Sequence, residues 1–338
     1  MADLGGHIYL LGEQSTMLIE RVLVLLGAVA AVRAAYTIAM WIWLFALRPA
    51  TDVRARYGGD NRAWAIVTGG TAGIGLAFVR RLLADGFRVV VASLPGTEGA
   101  LAAERAAGRV VFVPVDCADV GPAVATVAAA AHAHIGDLGG VRLLVHNVGW
   151  SAEMKPFLRH TGDDVDRVLA INLRFPARLT LALLPAMLHS SSPKRRCGVL
   201  FVSSQAGTMP ASPFASAYGA AKAGLCHFAR TLACEHADDI RSGRLDLTCF
   251  APGYVAAGRS PHIATKTRVT GMVSPARLAR DALAKLGCGR TVLSPVWQHA
   301  LTFGALEWLP EGVVGRLVLN ELAPAVDQQH HRRRAHGD

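Results

Sequence analysis

The chain has 338 residues, 52% of them apolar, and a net charge of +10. That length admits one large domain plus an appendage, or two small domains, and the apolar content supports a large core and a membrane segment. The basic clusters "LRPATDVRARYGGDNR", "PKRRC" and "HHRRRAHGD" lack the interleaved aromatics of a nucleic-acid groove, so a membrane-proximal or phosphate-binding role is favoured and nucleic acid is not.

Residues 22–47, "VLVLLGAVAAVRAAYTIAMWIWLFAL", carry a single charge, Arg33. As a helix rising 1.5 Å per residue the run reaches roughly 39 Å, beyond the ~30 Å of a hydrocarbon core. An Arg at mid-bilayer opposes insertion by about 2.5–3.5 kcal/mol, which the many Leu, Val, Ile, Trp and Phe neighbours outweigh. Trp41 and Trp43 suit an interfacial aromatic belt. The preceding segment lacks a basic start, which disfavours a cleaved signal peptide. Arg48, Arg54, Arg56 and Arg62 follow the run, whereas Arg21 is offset by Glu13 and Glu20. The positive-inside rule then predicts a membrane anchor with the rest of the chain in the cytosol. The alternative is a monotopic segment broken at Arg33.

From residue 62 onward, short apolar runs alternate with Ala/Leu-rich helical patterns. "AWAIVTGG" predicts a buried strand ending in glycines, and "GLAFVRRLLADG" a helix stopped at Gly86. "FRVVVAS", "RVVFVPVD", "VRLLVHNVG", "CGVLFVSS" and "RLDLTCFAPG" predict five further strands. Strands apolar on both faces, alternating with helices, predict an α/β fold: a doubly wound parallel sheet, Rossmann-like, behind an N-terminal transmembrane helix. Such sheets bind ligands beyond the carboxyl ends of their strands. The six cysteines form no CxxC pair and there is no HExxH, so no metal site is predicted.

The first strand runs into "TGGTAGIG". Gly69, Gly73 and Gly75 let the backbone approach a pyrophosphate and let the next helix start against it. The second strand ends in Ser93 and Leu94 rather than a carboxylate. A ribose 2′-phosphate is therefore tolerated, and NADP(H) is favoured over NAD(H). The compensating charge is left to Arg80, Arg81 or another basic side chain. Asp116 reads equally as an acceptor for an adenine amino group and as a helix N-cap. Further along, Tyr218 and Lys222 share a helix face four residues apart. An ammonium beside a phenol favours phenolate, and such a phenol can protonate a carbonyl oxygen as hydride arrives. A serine before it would orient that carbonyl.

Thr68–Gly75, "HNVG", Asn172, Ser204, "YGAAK" and Pro252–Gly253, in this order, resemble the short-chain dehydrogenases/reductases over about residues 62–300. With "LALLPAML", "VSPARLARDALAKLG" and the apolar anchor, the chain is most similar to the microsomal branch of β-ketoacyl-CoA reductases and hydroxysteroid dehydrogenases. "VLFVSSQAG" is also similar to the ketodihydrosphingosine reductases. The resemblance implies a membrane anchor and linker over 1–58, a catalytic domain over 59–300, and an apolar segment with a basic tail over 301–338. It implies Tyr218 as proton donor, Lys222 as the residue lowering its pKa and holding the nicotinamide ribose, Ser204 as the carbonyl ligand and Asn172 in a water-linked proton relay. The implied cofactor set is Gly69, Thr71, Gly73, Ile74, Gly75, Ser93, Asp116, Asn147, Gly149, Tyr218, Lys222, Pro252, Gly253 and Val255. The implied location is the endoplasmic reticulum membrane with the catalytic domain facing the cytosol.

Three positions depart from the family pattern. One extra residue separates Ser204 from Tyr218, so the family spacing lands on Gln205. Leu94 replaces an Arg, and Ala257 a Thr. These departures motivate a rival reading, a catalytically silent scaffold with the same fold. The favoured reading is NADPH-dependent reduction of a lipid ketone, a long-chain β-ketoacyl-CoA ahead of a steroid or ketosphingoid. Arg259, Lys266 and Arg268 after the PG pair suit an acidic substrate such as an acyl-CoA. The C-terminal "WQHALTFGALEWLPEGVVGRLVLNEL" either rests on a membrane near an acyl entrance, completes the core or makes a dimer contact. A homodimer and association with other lipid-synthesis enzymes both stay open.

Overall fold

The computed structural model describes residues 4–58, 62–135, 140–257 and 271–336; side chains are described from Met17 on, except 134, 135, 303, 325 and 327–336. Two compact units emerge, Met1–Pro49 and Ala50–Asp338. The expected boundary at 58/59 thus falls earlier. Residues 50–58 belong to the larger unit because Asp246, buried on a central strand, accepts from Arg56 Nε and Nη2 (2.7 and 2.8 Å) and from the Tyr57 hydroxyl (2.8 Å).

In the first unit one helix, α1 (Leu4–Ile42), is extended by a π turn at Trp43–Leu47. It passes through Arg33 without a break, which removes the broken monotopic alternative. Val24, Val32 and Leu47 are each 70% or more exposed. Met17–Leu47 is long and apolar enough to cross a membrane, and is a candidate span.

The second unit is built on seven parallel strands: β1 (Trp64–Thr68), β2 (Arg88–Ser93), β3 (Val110–Pro114), β4 (Val141–His146), β5 (Cys197–Val202), β6 (Leu245–Phe250) and β7 (Val292–Leu293). Their order is β3-β2-β1-β4-β5-β6-β7. Every residue of β1, β4, β5 and β6 is buried, as strands covered on both faces must be. The chain reverses direction across the sheet between β1 and β4. That switch point opens a crevice at their carboxyl ends.

Helices α2 (Val53–Tyr57), α3 (Gly73–Ala84), α4 (Ala102–Ala106), α5 (Val120–Ile135), α6 (Gly162–Leu169), α7 (Phe175–His189), α8 (Ser216–Glu235) and α9 (Ala237–Arg241) accompany the strands, followed by Pro275–Leu283, Trp297–Leu306 and Glu311–His336. Phe175, Leu179, Leu183 and Met187 on α7 pack into the core with Val127 and Ala131 of α5. Helices α6 and α7 are one rod joined by a π turn, Ala170–Arg174, where the Phe175 N–H reaches back five residues to Ala170 O. The rod as a whole, Gly162–His189, is apolar and of membrane-spanning length, yet its apolar window is 56% buried, which marks it as a core helix.

Candidate active site

The glycine loop leaves β1 at Thr68 and enters α3 at Gly73. Gly69 and Gly73 take φ of 66° and 53°, the left-handed region that disfavours a side chain. A Cβ on Gly75 would sit 2.0 Å from Gly69 O, so loop and helix start could not close together. The loop is tied to β4 from the other side. The Asn147 amide donates to Thr68 O and Gly69 O (3.0 and 3.1 Å), and Thr68 Oγ1 accepts from the backbone N–H groups of Asn147 and Val148. Asn147 therefore holds the cradle as well as lining the cavity beside it.

At the end of β2, Ser93 and Thr71 are buried with their hydroxyls 2.7 Å apart, and Leu94 turns toward the cavity. Arg80 and Arg81 lie in the second half of α3, away from the glycine loop, and Arg81 pairs with Asp85 (2.9 Å). Asp116 accepts from Ala118 N at 2.9 Å and pairs with Arg167 at 2.9 Å. Asp116 closes a local turn ahead of α5 and does not occupy the N-cap position, since that helix starts at Val120. Arg167 also lies over the Trp150 ring, 5.6 Å from its centroid.

Helix α8 carries Tyr218 and Lys222 one turn apart, with the Lys222 ammonium 5.7 Å from the Tyr218 ring centroid. Lys222 is 2% exposed and donates to Val202 O at 2.9 Å. Burial pulls its pKa down to about 8. The Tyr218 phenol is pushed up by desolvation, and a hydrogen bond with the Ser204 hydroxyl opposes that rise. The expected lowering of the phenol by Lys222 is not the governing effect: the ammonium serves Val202 O and desolvation outweighs it.

The three side chains after β5 divide cleanly. Ser203 Oγ turns inward and donates to Lys222 O at 2.8 Å. Gln205 is buried and donates to His299 O at 3.3 Å. Ser204 lines the cavity with Tyr218, opposing the rise of the phenol pKa, and its oxygen accepts from Ala206 N (3.2 Å). The connection back to α8 is closed by Ser212 Oγ donating to Ala206 O and by a left-handed turn at Phe214, φ 64°.

Asn172 sits in the π turn and is fully buried. Its amide donates to Trp150 O (2.6 Å) and Val168 O (2.9 Å). A Cβ on Gly149 would meet Asn172 Oδ1 at 3.2 Å and Lys222 Nζ at 3.4 Å, so Asn172 and Lys222 converge on Gly149. His146, the last residue of β4, is buried. Its Nε2 meets Thr180 Oγ1 at 2.8 Å, its ring stacks on Phe201, and burial lowers its pKa to about 3.

A cavity of about 1080 Å³ joins these parts. Ile74, Leu94, Asn147, Gly149, Ser204, Tyr218, Lys222, Pro252, Gly253, Val255 and Ala257 line it. The C-terminal helices add Leu306, Leu317, Val318 and Leu322, with Thr302 and Glu321. The sequence left this segment open among an acyl entrance at a membrane, the core and a dimer contact, because the same apolar residues suit all three. Arg259, Lys266 and Arg268 lie outside the described residues. Among the described residues, no cluster of His, Cys, Asp or Glu could hold a metal ion. Glycines that admit no Cβ, and a continuous cleft from the loop to Tyr218, fit an extended dinucleotide.

A family model described as short chain dehydrogenase matches residues 63–267. A very-long-chain 3-oxoacyl-CoA reductase of Coprinopsis cinerea is 32% identical, covering 82% of this chain and 81% of its own. One of the same name from Schizosaccharomyces pombe is 28% identical over 77% and 75%. The crystal structure of a 3-oxoacyl-(acyl-carrier protein) reductase from Brucella melitensis, 27% identical, superposes with a TM-score of 0.59, covering 71% of this chain and 98% of that one.

Proposed function

We propose, on the premise that this chain belongs to the short-chain dehydrogenase family, that it reduces the 3-keto group of a long-chain acyl-CoA to a hydroxyl with NADPH. The observation that carries the lipid substrate is the set of apolar side chains Leu306, Leu317, Val318 and Leu322 that lines the same cavity as Ser204 and Tyr218. Relatives bearing the name very-long-chain 3-oxoacyl-CoA reductase, similar over most of the chain, support the same reading.

A bound nicotinamide dinucleotide supplies hydride to the substrate carbonyl carbon. The chain's residues handle the oxygen. Ser204 donates a hydrogen bond to the carbonyl and places it beside the phenol. Tyr218 gives up its proton to that oxygen as negative charge develops there. Lys222, held by Val202 O beside the phenol, stabilises the phenolate left behind, and Asn172 lies at the inner end of a route for its reprotonation. The glycine loop, Ile74, Asn147, Gly149, Pro252, Gly253 and Val255 would hold the dinucleotide. Ser93 and Thr71 present hydroxyls and no carboxylate to the ribose, which supports NADPH over NADH.

In this reading the candidate span Met17–Leu47 is the anchor in the endoplasmic reticulum membrane, and Arg48, Arg54 and Arg62 after it support a cytosolic larger unit. The test is NADPH oxidation by detergent-purified full-length protein with 3-ketoacyl-CoAs of graded length, a 3-ketosteroid and 3-ketosphinganine. Turnover rising with acyl length is expected. Turnover of the steroid or ketosphinganine with none of any ketoacyl-CoA would overturn the assignment.

A further inference from the structure

His299 is fully buried in the helix Trp297–Leu306, far in sequence from the catalytic helix. It is not in the cavity wall but directly behind it. Its Nδ1 accepts from Gly253 N at 3.1 Å, and its Nε2 meets Gly271 O at 3.1 Å. A carbonyl can only accept, so the proton is on Nε2 and Nδ1 is free to receive the Gly253 N–H. A ring nitrogen that accepts the Gly253 N–H carries no proton, so the ring is neutral in this arrangement; burial and then Arg277 lower its pKa, against the opposing hydrogen bond to Gly271 O. Gly253 and Gly271 stand on either side of the 258–270 segment, and the bridge Val255–Val273 pairs the same two stretches.

Gln205 completes the arrangement. It follows Ser204 directly, its N–H donates to Pro252 O (3.0 Å), and its side-chain amide donates to His299 O. A Cβ on Gly253 would meet Gln205 Oε1 at 2.3 Å and His299 Cδ2 at 3.0 Å, so the three residues are in close contact. Gln205 Oε1 is itself buried without a hydrogen-bond partner among the described residues. Ser204 and Gly253 are therefore referenced to one another through a shared backing.

We propose that His299 is a positioning residue: by accepting the Gly253 N–H and, through Gln205, bracing the turn that carries Ser204, it sets the distance between the carbonyl-binding hydroxyl and the Pro252–Gly253 wall of the nicotinamide pocket. The proposal rests on the reductase reading for its kinetic consequence only. Two variants of full-length protein separate its bonds. His299→Asn puts an acceptor near the Nδ1 position and keeps the Gly253 bond. His299→Gln extends toward Gly271 and loses it.

Amide hydrogen exchange of peptides covering Gly253 and fluorescence titration with NADPH are read without substrate, alongside kcat and KM on a 3-ketoacyl-CoA. The expected result is faster exchange at Gly253 and weaker NADPH binding in His299→Gln, with kcat down roughly tenfold or more at little change in acyl-CoA KM. His299→Asn is expected to keep all three. Equal behaviour of the two variants in exchange and titration would overturn the proposal, and so would lost protection at Gly253 with unchanged NADPH affinity and kcat. Failure of wild type to reduce any ketoacyl-CoA would instead remove the substrate assignment and leave the exchange and titration arms decisive.

Discussion

Two neighbouring serines are expected to fail in opposite ways. Ser204→Ala removes the hydroxyl that meets the Tyr218 phenol and faces the cavity. A donor aimed at a developing oxyanion is typically worth about 10²–10³ in kcat, or roughly 3–4 kcal/mol of barrier. The fold has little at stake there, since the only other bond lost is a 3.2 Å contact with Ala206 N. Ser203→Ala removes a buried donor to Lys222 O, a bond worth about 1 kcal/mol of stability, and a partner for the Cys226 thiol. Lys222 lies within a helix, so its carbonyl keeps its backbone partner. For a domain of this size about 1 kcal/mol corresponds to a Tm lowered by roughly 2 °C. The assay is NADPH oxidation at saturating 3-ketoacyl-CoA beside thermal unfolding followed by circular dichroism. Ser204→Ala should lose at least about 100-fold in kcat at an unchanged Tm, and Ser203→Ala should show the reverse. If Ser203→Ala loses turnover as severely, or Ser204→Ala keeps most of its kcat, the division of roles is wrong.

Lys222, with a folded-state pKa of about 8 against 10.5 unfolded, opposes folding fully below pH 8 and not at all above about 10.5. Without cofactor, the stability of wild type relative to Lys222→Met should therefore rise between those limits by up to roughly 3 kcal/mol, and a flat difference in denaturant unfolding would contradict it. Gly75→Ala forces a methyl to 2.0 Å from Gly69 O; NADPH fluorescence titration should show affinity weakened roughly tenfold or more, with far-ultraviolet circular dichroism retained. Val318→Trp narrows the apolar part of the cavity; kcat/KM should fall for long acyl chains and hold for a four-carbon ketoacyl-CoA, whereas an equal fall at every length would argue against an acyl chain there. Removing residues 1–49 takes away the first compact unit alone; sedimentation with membranes should be lost while turnover of a short ketoacyl-CoA persists.

Sheet and glycine loop were legible because buried parallel strands demand unbroken apolar runs, and because a loop closing on its own helix start demands glycine at 69, 73 and 75. Tyr218, Lys222 and Asn172 carried motif spacing and came together as expected. Ser204 was ambiguous in sequence, since spacing counts residues and not directions. What separates it from Ser203 and Gln205 is that each of those has a buried partner, Lys222 O and His299 O. Asp116 could be read two ways because a carboxylate at a strand end serves a turn or a ligand equally well. The linker residue Arg56 read as juxtamembrane charge; only the fold brings Asp246 to it and to Tyr57. His299 had no legible signal at all. A lone histidine in an apolar stretch acquires meaning from the two glycine backbones that fold against it.

A helix that widens for one turn holds one residue more than its α-helical length requires. The extra residue at Ala170–Arg174 lets a single rod do two things: α7 aims Phe175, Leu179 and Leu183 at the sheet, while Asn172 aims at Gly149. Five residues of π turn cover nearly the rotation of four residues of α-helix, so deleting one residue of the turn would let it relax to α geometry with α6 and α7 still in phase. The core stripe would stay on the sheet, while the widened turn that aims Asn172 at Gly149 would be lost. The extra residue therefore serves the chemistry and not the core.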